Sequence, residues 1–143
     1  AEALAEGRLT PFRACQAFDR EVGLNESRID IRLSMSQGVL WVETKSVTLV
    51  EEGVALFPDA PTLRGSRHVQ ALADAVDDGI QSSVVFVVQR PDARSFRPYD
   101  AADPVFGEAL RAAAEAGVGI YAWTCEVSRQ AIAVSQEIPV DLT

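Results

Sequence analysis

Apolar and polar residues alternate from Arg28 to Leu33, with Ile29, Ile31 and Leu33 on one face and Arg28, Asp30 and Arg32 on the other. This is the period-2 signature of a strand, and it sets Asp30 off the main apolar face. After a Ser36-Gln37-Gly38 turn, Val39 to Lys45 read as a second strand whose alternation sends Trp41, Glu43 and Lys45 to one side. Val47 to Val50 and Gly53 to Phe57 continue as strand material interrupted by Glu51-Glu52-Gly53, which predicts a meander of about three strands.

Pro58-Asp59-Ala60-Pro61 ends that sheet segment. Thr62 then caps a predicted helix in which Val69, Leu72, Ala73 and Val76 follow helical spacing, with Gly79 as the stop. Ser83 to Gln89 carries five apolar residues in succession and reads as a central strand buried on both faces. A long loop is expected from Arg90 to Ala102. Asp103 as cap, Pro104 at the first helical position and Gly117 after the last turn frame a further helix, with Phe106, Leu110 and Ala113 inward. Val118 to Val127 closes as a strand. Ahead of all this, Ala1 to Leu9 reads as a short helix ended near Pro11. The order helix, three strands, helix, strand, helix, strand implies an α/β fold: a mixed central sheet with helices packed against it.

Composition adds limits. A chain of 143 residues with 48% hydrophobic and 24% charged residues suits one domain, 1–143, with a core of its own. No apolar run approaches membrane-spanning length, and the first residues lack the basic and apolar regions of a signal peptide, so a cytoplasmic location is expected. Cys15 and Cys125 stand far apart without metal-ligand spacing and read as reduced thiols. A net charge of −8 argues against wrapping a polyanion through a general basic surface, so any nucleic-acid contact must be local.

The chain writes arginine almost everywhere, which makes its one lysine, Lys45, conspicuous beside Glu43 on an apolar strand. If the first two strands pair, Asp30, Glu43 and Lys45 can converge. Two carboxylates suit Mg²⁺ or Mn²⁺, and the cation with a lysine beside it is the chemistry of a hydrolytic nuclease. The plainer alternative is a solvated Glu-x-Lys ion pair. Against it, a carboxylate in a run with Leu40, Trp41, Val42 and Val47 is disfavoured unless paired or metal-bound. Asp59, Arg64, Arg67 and His68 gather near the second helix start. Arg64 and His68, four apart, share a face and suggest a phosphate-facing surface. The alternatives are a turn or capping role for Asp59 and a singly hydrogen-bonded helix histidine. Arg94, Phe96, Arg97 and Tyr99 mix cationic and aromatic groups in a loop that either contacts a nucleic-acid backbone or only connects elements.

Val42-Glu43-Thr44-Lys45-Ser46-Val47-Thr48-Leu49, then Phe57-Pro58-Asp59-Ala60 with Thr62, Arg64, Gly65 and His68, resembles the bacterial sugar fermentation stimulation protein A family. Phe86 to Ala93, Ser95-Phe96, Ser27 to Asp30 and Ile138 to Leu142 extend the resemblance over nearly the whole chain. It implies a restriction-endonuclease-like fold of the PD-(D/E)xK type, with Asp30, Glu43 and Lys45 in the catalytic positions, Asp30 and Glu43 as metal ligands, and Glu21, on or beside the first helix, as a candidate additional acid. It implies Mg or Mn as cofactor and DNA as partner, with metal-dependent phosphodiester hydrolysis as one reading. A non-catalytic DNA-binding regulator of sugar, particularly maltose, metabolism is the other. In that family an N-terminal OB-type barrel precedes this domain, and the chain is expected to be the part without it. Thr44 departs from the family's usual valine.

Overall fold

The computed structural model describes the backbone of residues 15–24, 27–35, 38–127 and 132–143, and the side chains of residues 40–125 and 136–143. A six-stranded sheet is built from β1 (Cys15–Leu24), β2 (Ser27–Met35), β3 (Gly38–Val47), β6 (Gln81–Val88), β8 (Gly119–Val127) and β9 (Ile132–Ile138), in the order β1-β2-β3-β6-β8-β9. β1 to β3 form an antiparallel meander, β3, β6 and β8 run parallel, and β9 returns antiparallel. The sheet is therefore mixed, as expected. Between its parallel strands run α1 (Leu63–Asp77) and α2 (Pro104–Ala116), which pack on each other, α1 also lying on β6 and β3.

The caps follow the local chemistry of the sequence. Thr62 Oγ1 accepts the backbone N–H of Gly65 and Asp103 Oδ1 that of Phe106, each at 3.0 Å. Each bond satisfies one of the donors a helix start leaves unpaired. Gly117 ends α2 at φ 111, a left-handed conformation that costs glycine little. β6 is central, flanked by β3 and β8, and every residue from Ser82 to Phe86 is buried.

Four expectations need correction. β4 (Leu49–Glu51) and β5 (Val54–Phe57) do not extend the main sheet; with β7 (Ser95–Pro98) they make a separate three-stranded sheet, β4 antiparallel and β7 parallel to β5. Local alternation shows that a strand exists but not which sheet receives it. β7 lies inside the expected loop of residues 90–102, hidden because it is four residues long and ends in Pro98. β9 adds a strand after β8. Glu21 lies in β1 and not on or beside a helix. The expected helix at residues 1–9 lies outside the described residues.

The core sits between the two sheets and the helices. Phe86 of β6 stacks on Phe96 of β7 with ring centroids 4.1 Å apart, and Phe106 of α2 meets Phe57 edge-on at 5.2 Å. Phe86, Phe96 and Phe106 are fully buried, each worth about 1.5–3 kcal/mol in transfer alone. Phe96 is thus a core residue, which removes it as a base-stacking group. Arg94 donates to Glu52 O and Arg97 to Thr143 O. Among the described residues no helix is long and apolar enough to cross a membrane.

Candidate functional site

On β3 alternate side chains face alternate sides, so Trp41, Glu43, Lys45 and Val47 project together. Trp41 and Val47 join the core shared with the helices, and in the parallel register Glu43 lies beside Val84 and Lys45 beside Phe86. The strand therefore carries a carboxylate and an ammonium into an otherwise apolar layer. Glu43 is only 1% exposed.

The layer meets α1. Val69, Leu72, Ala73 and Ala75 are among its buried residues, and His68 occupies a buried position one turn before Leu72 where an apolar residue would otherwise pack. His68 Nδ1 lies 2.8 Å from Glu43 Oε1, Lys45 Nζ lies 2.9 Å from the same oxygen, and the two nitrogens are 3.2 Å apart. Two nitrogens thus converge on one carboxylate oxygen. The other, Glu43 Oε2, is buried and has no hydrogen-bond partner among the described residues. An unpaired buried acceptor carries the full desolvation cost of its lone pairs, which makes it the chemically unfinished point of the cluster.

Glu43, Lys45 and His68 are brought together, whereas Asp59, Arg64 and Arg67 face solvent. Asp59 is exposed and follows a cis Phe57-Pro58 bond. Arg64 and Arg67 are exposed on α1. The expected common face for Arg64 and His68 is split, because His68 turns into the core with Leu72 while Arg64, at the helix start, stays in solvent. Asp30 lies in β2 and Glu21 in β1, and the side chains of both lie outside the described residues. Ile31 pairs with Val42 at the end of the β2–β3 register, one residue along the chain from Asp30 and from Glu43 respectively. Among the described residues no group of three His, Cys, Asp or Glu side chains could hold a metal ion.

The contact between His68 and Glu43 was missed by the pattern reading, although its two halves were visible. Helical spacing sets His68 one turn before Leu72, and strand alternation sets Glu43 with Trp41.

The family model described as "Sugar fermentation stimulation protein RE domain" matches residues 1–131. The sugar fermentation stimulation protein homolog of Desulforamulus reducens is 50% identical over 139 residues, covering 97% of this chain and 58% of that protein. The homolog of Chloroflexus aurantiacus is 44% identical over 140 residues, covering 98% of this chain and 54% of that protein. A solved structure of Pyrococcus furiosus SfsA in complex with Ca²⁺ superposes with a TM-score of 0.92 at 34% identity, over 98% of this chain and 61% of that one. The chain spans less than two thirds of the length of these relatives.

Proposed function

The chain belongs to the sugar fermentation stimulation protein family, and from that premise we propose that it is a restriction-endonuclease-like domain of the PD-(D/E)xK type that binds a divalent cation and hydrolyses phosphodiester bonds in DNA. The observation that carries this reading is Glu43 Oε2, a buried carboxylate oxygen left without a partner beside a lysine. A hard cation is the chemically matched partner for such an oxygen, so the donor set fits Mg²⁺ or Mn²⁺. The Ca²⁺ named with Pyrococcus furiosus SfsA is also a hard, oxygen-seeking ion and supports the same class.

Glu43 and Asp30 are the residues that would hold the cation. Bound there, Mg²⁺ or Mn²⁺ would polarise a phosphodiester and lower the pKa of a coordinated water. Lys45 keeps its ammonium against Glu43 with its side chain 13% exposed, close enough to the surface to orient a nucleophile or to meet developing negative charge. Arg64 and Arg67, exposed on the first turns of α1, offer local positive charge to phosphates in a chain of net charge −8. The broader role follows the family expectation, a cytoplasmic DNA-associated function in sugar metabolism.

One observation favours the non-catalytic alternative, a DNA-associated regulatory module: Glu43 Oε1 already has two nitrogens upon it. A site that satisfies itself has less need of a cation. Calorimetric titration of Mn²⁺ and Mg²⁺ into the chain and into Glu43→Ala and Asp30→Ala variants of intact fold separates the two. Saturable binding lost in both variants, followed by cation-dependent cleavage of duplex DNA, is the expected result. Binding that is absent, or indifferent to both substitutions, overturns the catalytic reading in favour of the module.

A further inference from the structure

His68 holds Glu43 by one ring nitrogen, and the hydrogen-bond inventory restricts what that nitrogen can be. An ionised carboxylate oxygen only accepts, and an ammonium only donates. At 2.8 Å from Glu43 Oε1, Nδ1 makes an attractive contact only if it carries the hydrogen and donates it. The 3.2 Å separation of Nδ1 from Lys45 Nζ is then not a hydrogen bond between them. The two are donors side by side, aimed at one oxygen.

This arrangement divides the carboxylate. Oε1 receives one hydrogen bond from α1 and one from its own strand, 25 and 2 residues away respectively. Oε2, on the same rigidly held group, receives none among the described residues. Glu43 is otherwise a long side chain with several rotamers, and fixing one oxygen from two directions fixes the aim of the other. His68 is itself held in the buried face of α1, at 7% exposure, between the caps at Thr62 and the packing of Leu72.

We propose that His68 is a positioning residue for the cation site: its Nδ1–H pins Glu43 Oε1 so that Glu43 presents Oε2 alone, as a monodentate ligand. The inference rests on the metal-binding reading above and assigns a function to a histidine that would not itself touch the cation. Lys45 cannot replace it, because an ammonium on a flexible stem fixes a point charge but not a direction.

Two measurements test it together. The chain has one histidine, so a long-range proton–nitrogen NMR spectrum of the untagged, ¹⁵N-labelled protein without metal reports His68 without ambiguity. The expected spectrum has the hydrogen on Nδ1; a bare Nδ1 overturns the assignment and the proposal with it. Calorimetry with Mn²⁺ then compares the parent chain with His68→Ala and His68→Asn, the amide of asparagine standing where Nδ1–H stood. Loss of a residue that orients a ligand costs roughly 10–100-fold in affinity, so His68→Ala should weaken binding by that factor and His68→Asn should restore most of it. His68→Ala binding as tightly as the parent overturns this inference alone. A parent chain that binds no Mn²⁺ overturns the metal-binding reading as well.

Discussion

Asp103 Oδ2 accepts the backbone N–H of Thr62 at 2.8 Å, so the residue that caps α2 also holds the residue that caps α1. Its other oxygen accepts Phe106 N, and the carboxylate is buried at 6% exposure. Two helix starts are thereby tied to one group. α1 carries His68 six residues beyond Thr62, so this tie contributes to where the imidazole meets β3.

Replacing Asp103 with alanine should destabilise the fold by about 2 kcal/mol, because an N-cap loss of about 1 kcal/mol is joined by a second, half-buried N–H left without its partner. Asp103→Asn keeps one acceptor and should cost roughly half as much. Urea unfolding followed by circular dichroism measures both, and equal midpoints for the two variants would contradict the double-acceptor role.

Lys45 and Glu43 should be strongly coupled. Lys45→Met alone leaves a buried carboxylate short of a cation and should cost about 3 kcal/mol without added metal. In a Glu43→Gln background the same change should cost about 1 kcal/mol, since the charge it balanced is gone. A double-mutant cycle reads the difference directly; a coupling near zero would mean that the 2.9 Å contact contributes nothing.

Cys125 is fully buried, and burial pushes its thiol pKa up. In a Cys15→Ser background, native protein at pH 8 should react with iodoacetamide roughly 100-fold more slowly than unfolded protein, because reaction waits on opening of the fold. Mass spectrometry over time measures the ratio. Equal rates would place the thiol at the surface.

Asp100 is held below its ordinary value of 3.8, first by the hydrogen bond from the Arg111 guanidinium, which grips both of its oxygens at 3.0 and 2.7 Å. A carboxyl whose folded pKa is depressed contributes stability above its unfolded pKa and loses it as pH falls through the folded value. Relative to Asp100→Asn, the parent should therefore be more stable above about pH 4 and converge with it below. The difference should be only about 0.5 kcal/mol, since both groups are well solvated. Arg111 also donates to Leu142 O at 2.7 Å, so Arg111→Ala should cost more than Asp100→Asn, by about 1 kcal/mol. Thermal melts from pH 2 to 7 check both statements.

Much of this fold is legible from short windows of sequence. Thr62, Asp103-Pro104 and Gly117 mark helix ends because capping depends on side chains within three or four residues of the orphan groups. The apolar run at Val84 to Val88 marks a central strand because a strand covered on both faces needs no polar alternation. β1 is harder to read, since Arg20 interrupts the alternation of Phe18, Val22 and Leu24, and the register slips between Cys15 and Ala17. The adjacency of Glu43 and Lys45 is also local and follows from the period of a strand.

By itself the sequence determined the two described helices with their caps, the strands β2 to β6 and β8, and the pairing of Glu43 with Lys45, all set by forces acting over a few residues. Only the tertiary structure decided that β4 and β5 leave the main sheet, that Phe96 is core, and that His68 closes on Glu43 from a different element. Each of those depends on how the chain between β3 and β6 crosses over the sheet and lays α1 against it. Such long-range packing is governed by the burial of whole faces, which no local pattern specifies.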